Sequence, residues 1–527
     1  MKQAVVVGLL TLLPGLASAQ SLRLTNSTAF EYRGQNDNGN EADDEFGLGV
    51  NRLYLNGSID RTSVTAQVDS IYFSAFPDLD YRKTNNIEGA PTEYQDEARL
   101  ERITLVHTLG AEERGTLTAG DAHLQLGRGI ALALRKVDEI GTNQALRGGS
   151  LAWNGDEYGG IVFAGRTNIA NLDGPTMRYL EDPNDVIAGA SGSLFLGRST
   201  LSVHGLYLKA LNPYGAQGDD VADGETALGG AYVETPVADW LTLYVEGAFE
   251  QYRIDTLEEQ GVATYASADV DLQFASLLLE GLYLDQFQVM GSKDNVLNRR
   301  NTYNQPPTLE RIDQEVLDNE NVRGGRVKLS RSFLDGSLVL YTSGMFRQYG
   351  KLDAEPVDAI HAYGGFEHTY GFGASRWYAS GGYRQETEEA ASEPFKRMVH
   401  GETDWVQSIG GGWATHLTIN HESRYTADVA VVGNEGGRDY IRGSTFIGLD
   451  RAHLGSVMVE IGYDTLRPDV QQNFLAGIVT WEAVDWADVR AVVGSQRGGI
   501  KCVGGVCRDF PPFSGARLEA TVFYDTL

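Results

Sequence analysis

The chain has 527 residues, with 72 acidic against 43 basic side chains, a formal charge of −29 and a mean hydropathy of −0.27. That balance excludes nucleic acid as a partner, because phosphate binding needs a basic surface. Glycine is abundant at 63 residues, tyrosine outnumbers phenylalanine by 25 to 19, and helical periodicity is almost absent, so the composition points to an all-β protein.

In chain order, Lys2, the apolar stretch Ala4 to Leu16 and the small residues Ala17-Ser18-Ala19 spell a signal peptide over residues 1–19. Its apolar core is short of the ~20 residues that cross a bilayer as a helix. Cleavage leaves Gln20 as the mature N-terminus, and residues 20–527 are read as one domain. The acidic excess then serves solubility during export, or loops that face divalent cations.

From Leu22 onward, alternating segments of about ten residues are separated by tight turns at one end and longer polar loops at the other, the pattern of a membrane barrel. Tight turns are expected at Gly197-Arg198, Pro236 to Asp239, Leu334-Asp335-Gly336, Arg451 to Leu454 and Val484-Asp485. Long loops, placed outside the cell, are expected at Gly34 to Glu45, Pro77 to Asp96, Ile169 to Asp185, Met290 to Asn321 and Glu386 to Arg397.

The segment Gly120 to Gly149 breaks this grammar, with its irregular part at 124–148. Arg128, Arg135, Lys136 and Arg147 make it basic in an acidic chain. Two readings stand: a distorted strand pair with an external loop, or a segment folded into the lumen as a constriction that favours anions.

Past residue 240 the alternation is clearest. Leu241, Leu243, Val245, Gly247 and Phe249 belong on lipid, and Thr242, Tyr244, Glu246, Ala248, Glu250 and Tyr252 in the lumen. Val457, Val459 and Ile461 against Met458 and Glu460, and Leu518, Ala520 and Val522 against Arg517, Glu519 and Thr521, repeat it. Trp153, Trp240, Trp413, Trp481 and Trp486 fall beside short turns, as an aromatic girdle requires. The count predicts a transmembrane antiparallel up-and-down β-barrel of about 24 strands, between roughly 20 and 26, even in number. A propeller or β-helix is disfavoured, since no fixed-length repeat recurs.

Near the end, Cys502 and Cys507 bracket four residues, and export through an oxidising compartment makes a disulfide the simplest reading. Zinc would lack two ligands, and the spacing is not that of a redox Cys-x-x-Cys pair. The acidic run Asp37 to Glu45 does not follow EF-hand order, His107, His123, His204 and His416 are scattered, and no P-loop lysine follows the glycine runs. No catalytic residue, metal site or cofactor is assigned.

The run Arg497-Gly498-Gly499-Ile500-Lys501-Cys502-Val503-Gly504-Gly505-Val506-Cys507-Arg508, followed by Pro511-Pro512-Phe513-Ser514-Gly515-Ala516-Arg517-Leu518-Glu519, resembles the C-terminal signature of an uncharacterised bacterial outer-membrane β-barrel family, a domain of unknown function. Leu126-Gly127-Arg128-Gly129-Ile130-Ala131-Leu132 with Leu146-Arg147-Gly148 is similar to that family's internal pattern. The resemblance implies a barrel in the outer membrane and supplies no substrate or catalytic residue.

A barrel of this size has a lumen too wide for its own wall side chains to fill. The expected function is a channel or export pore for polar solutes or glycans, lined by Glu246, Glu250, Arg326, Lys328, Glu460 and Arg490. The alternative is a structural or secretion-machinery barrel whose loops bind envelope partners, and an enzyme is not expected. With no plug-sized domain ahead of Leu22, a TonB-dependent transporter is disfavoured. Expected partners are outer-membrane lipid, lipopolysaccharide and the barrel-assembly machinery.

Overall fold

The computed structural model describes residues 21–36, 44–75, 96–212, 223–254, 257–293, 300–311, 314, 320–352, 355–389, 391, 393–427, 437–468, 470–503 and 506–526. The signal peptide over 1–19 lies outside the described residues, as do 37–43 of the acidic run and nearly all of the Pro77 to Asp96 loop. One sheet of 24 strands forms the wall. Every wall pairing is antiparallel, and the first strand, Ser21–Arg33, pairs with the last, Phe513–Thr526, from Leu22 opposite Thr526 to Arg33 opposite Gly515. That pairing closes the barrel and leaves no edge strand, the condition for a sheet to cross lipid, where no water satisfies an open edge.

The alternation read from the sequence is the alternation of the wall. Along Leu241–Ile254, Val245 and Phe249 are exposed on the outer face, while Tyr244, Glu246, Ala248, Glu250 and Tyr252 are buried inside. Val457, Val459 and Ile461, and Leu518 and Val522, repeat the outward apolar row. The tryptophans flank the short turns as expected. Trp377 and Trp405, cross-strand partners between Ser375–Glu388 and Lys396–Gly410, add two more rings at the same end. On intact cells, Glu393→Cys at a long connection should react with an impermeant thiol reagent and Asp335→Cys at a short turn should not. The reverse labelling would invert the orientation.

The apolar core sits within the barrel rather than between two sheets. Three wall junctions enclose extra two-stranded pieces: Leu124–Leu126 with Leu132–Leu134 and Lys136–Val137 with Thr142–Asn143, then Met290–Lys293 with Arg300–Thr302, then Gly499–Val503 with Val506–Phe510.

Candidate functional site

The irregular basic segment is bounded by two wall strands, Gly115–Ala122 and Ala145–Asn154, whose pairing runs from Trp153 opposite Gly115 to Leu146 opposite Ala122. Ala145 to Gly148 therefore belong to the wall, and the non-barrel stretch is 123–144 rather than 124–148. Its apolar residues Leu124, Leu126, Ile130, Leu132 and Leu134 pack against inward-facing Phe163, Ile187, Leu206, Leu208 and Leu228. These five side chains look like a weak strand in sequence, but they cover wall surface that would otherwise be wet, which stabilises the inward position.

The tip of this segment is fixed by charge. Glu246 Oε2 accepts hydrogen bonds from the Arg128 backbone N–H at 2.9 Å and from Tyr244 Oη at 2.5 Å. The Arg128 guanidinium lies 4.1 Å from the Tyr244 ring centre and donates to Tyr265 Oη at 3.3 Å. Gly127 takes a φ of +54°, and a Cβ there would collide with the Glu246 carboxylate. Only glycine allows both the left-handed turn and that approach.

Two of the loops read as external also fold inward in their described parts. In the connection from Tyr158–Asn168 to Val186–Leu196, Asn171, Asp173, Leu180 and Asp185 are buried. Asp185 accepts from the Ser292 N–H at 2.8 Å, Tyr303 Oη at 2.6 Å and the Leu211 N–H at 3.1 Å. Ser292, Tyr303, Leu309 and Glu310, from the Met290 to Asn321 loop, are likewise buried. Their polarity suggested solvent, but Asp185, Ser292 and Tyr303 find protein partners in place of water. Backbone bonds tie the segments together: the Ala133 N–H donates to Tyr303 O at 2.7 Å and the Gln305 N–H to Gly129 O at 2.7 Å.

Cys502 and Cys507 are joined and close the hairpin Gly499–Val503 with Val506–Phe510. The hairpin turns onto the inward segment. Arg508 Nη1 donates to Ile140 O at 3.0 Å and Gly141 O at 2.8 Å, and its Nη2 pairs with the buried Asp173. Burial pushes the Arg508 guanidinium down to about 10. Non-reducing mass analysis should find the two cysteines linked, and free alkylation of both without reductant would contradict it. A ring this small constrains the unfolded chain by only about 2 kcal/mol. Cys502→Ser should therefore loosen the hairpin without unfolding the barrel.

Beside these segments, a cavity of about 740 Å³ lies among the first three strands, the last several, the 136–143 hairpin and the disulfide hairpin. Seven basic side chains (Arg33, Arg52, Lys136, Arg490, Arg497, Lys501 and Arg517) and seven acidic ones (Glu31, Asp69, Glu101, Asp138, Glu139, Glu460 and Glu519) line it. In a chain with a charge of −29, this lining is balanced.

The residues singled out from the sequence divide accordingly. Of the basic four, Lys136 lines the cavity, where it pairs with Asp138 at 2.7 Å. Arg128 is held between tyrosines, and Arg147 bonds to Asp121 at 3.0 Å. Arg135 is half-buried with no hydrogen-bond partner at Nε. Glu460 and Arg490 line the cavity. Glu246 and Glu250 lie beneath the inward segments, Glu250 accepting from the Gln288 N–H at 2.7 Å. Arg326 pairs with Glu280 and donates to Glu310 O at 3.2 Å, and Lys328 sits 5.7 Å from the Tyr341 ring centre.

A second polar cluster had no sequence signal. Glu310 meets His361 and Arg384, His361 in turn meets His400, and the charge of Arg347 acts on Glu310; the four partners come from four adjacent wall strands. Beside it, Arg311 forms a two-pronged pair with Glu402 at 2.7 and 3.1 Å. The scattered-histidine reading omitted His361 and His400. Lumen parity on their strands was the available clue, but parity says nothing of which distant residues meet. Among the described residues no group of three or more His, Cys, Asp or Glu is placed to hold a metal ion.

No family model matches the chain, and no curated protein matches its sequence. Among solved structures it is similar to the E. coli P pilus tip assembly intermediate PapC-PapD-PapK-PapG, with a TM-score of 0.50 and 10% identity over 96% of this chain and 61% of that one. The siderophore receptor PirA from Pseudomonas aeruginosa gives a TM-score of 0.48 at 7% identity over 96% of this chain and 80% of that one. A BenF-like porin from Pseudomonas fluorescens Pf-5 gives 0.40 at 11% identity over 72% of this chain and 97% of that one. At such identities the likeness is one of fold, that of an outer-membrane β-barrel.

Proposed function

We propose that the protein is a porin-like passage for small polar solutes, running through the charged cavity of the lumen. The observation that carries this reading is the cavity of about 740 Å³ with its balanced charged lining, beside the inward-folded segments. Alternating charges in a narrow, polar space replace part of a solute's hydration without holding it tightly, as conduction requires. The disulfide hairpin and the 136–143 hairpin form part of its boundary, so the residues of the C-terminal resemblance shape the passage.

Purified protein in planar bilayers should give a steady ohmic conductance with weak ion preference. Electrical silence would sink the passage reading. Arg490→Glu with Lys501→Glu changes the lining by four charge units. It should shift the cation-to-anion permeability ratio toward cations on the order of fivefold, because unscreened charges in a narrow passage act at short range. An unchanged reversal potential would place the current elsewhere.

A further inference from the structure

Within the lumen, Glu310 enters a pocket made by Arg347, His361, Arg384 and His400. Glu310 and His361 are buried at 2% and 0% exposure, and His361 Nδ1 bonds to the Glu310 carboxylate. The Nε2 atoms of His361 and His400 lie 2.9 Å apart, within hydrogen-bond distance of each other. Arg384 Nε stands 3.6 Å from the second Glu310 oxygen, and Arg384 Nη2 donates to Glu386 at 2.6 Å. Burial opposes ionisation of Glu310. The hydrogen bond from His361 and the charges of Arg384 and Arg347 outweigh it and hold the carboxyl at about 2. The group is an anion.

The fit is incomplete on both sides. Arg347 is 2% exposed, yet its Nε and Nη2 have no hydrogen-bond partner, and Glu310 Oε2 has none either. Buried guanidinium nitrogens without acceptors are costly, and a structural anchor shaped for one purpose would satisfy them. Glu310 arrives on a chain whose position is set elsewhere. Tyr303 is bound to Asp185 and Gln305 to Gly129, while Arg311 is bound to Glu402. The tethered carboxylate leaves Arg347 Nε and Nη2 without a partner, whereas an untethered one can engage both guanidinium groups in the two-pronged geometry that carboxylates prefer.

We propose that Arg347, His361, Arg384 and His400 form a carboxylate-binding site on the lumen wall, occupied by Glu310 as a tethered stand-in for which a free carboxylate solute competes. The site is distinct from the open passage and is read by binding rather than by current, so either proposal can fail alone.

The test is calorimetric titration of succinate into the purified, folded full-length protein, with chloride at equal ionic strength as the control anion. Removing the tethered competitor with Glu310→Gln should tighten succinate binding about tenfold, since a tethered group competes at a high effective concentration. Adding Arg347→Met should abolish the gain. Equal affinity in wild type and Glu310→Gln, or a gain that survives Arg347→Met, overturns the proposal. Should Glu310→Gln not fold, the wild-type imidazole resonances of His361 and His400 decide: succinate-dependent shifts support the site, and none at saturation overturns it.

Discussion

Replacing residues 123–144 with a short Gly-Ser turn should raise single-channel conductance roughly twofold or more, as conductance follows the open cross-section of a passage. The wall permits this deletion, because strands Gly115–Ala122 and Ala145–Asn154 are paired up to Leu146 opposite Ala122. A tight turn can close them there without a change of register. The removed residues include Leu124, Leu126, Ile130, Leu132 and Leu134, the apolar filling of the lumen. Water would enter beside the cavity that remains. Glu246 would lose its Arg128 partner and face that water. Had the segment formed an external loop, deletion would leave the current through the barrel unchanged. An unchanged conductance in a folded variant would therefore refute the inward position and with it the division of the lumen.

The second large effect is on stability. Val245→Arg should lower folding stability in bilayers by ~2–4 kcal/mol, the cost of a guanidinium on the lipid face near the bilayer midplane. Val237→Arg should cost only ~0–1 kcal/mol, because near the interface the side chain reaches water. Both valines are exposed, at 43% and 59%, so burial within the protein does not separate them. Their depths do: Val237 lies beside the turn that Asp239 and Trp240 form, and Val245 lies further along Leu241–Ile254. Equal costs at the two positions, measured by denaturant titration in lipid vesicles, would show that the girdle does not mark the membrane boundary.

The period-two pattern determined the wall. Val245 and Phe249 outside with Glu246 and Glu250 inside follow from the geometry of one strand, in which successive side chains point to opposite faces. Turns at Gly197-Arg198 and Leu334-Asp335-Gly336 were legible for the same local reason. Gly197, Asp335 and Gly336 adopt positive φ values that glycine and aspartate tolerate. The strand number followed by counting.

What fills the barrel was decided only in three dimensions. Arg128 lies 118 residues from Glu246, Arg508 lies 335 from Asp173, and His361 lies 51 from Glu310. The polar loops Ile169 to Asp185 and Met290 to Asn321 read as solvated because a sequence shows that a group needs a hydrogen bond but not who supplies it. In the folded chain, Asp185 finds Ser292, Tyr303 and Leu211. The basic charge of the irregular segment was visible in the sequence, but the contacts of Arg128 with the Tyr244 and Tyr265 rings and of Arg147 with Asp121 were not. The sequence determined by itself which side chains face inward, because that depends on the parity of one strand. Which of them meet, and where the lumen stays open, depended on closure of the sheet, because only the ring of 24 strands sets the distance between residues on different walls.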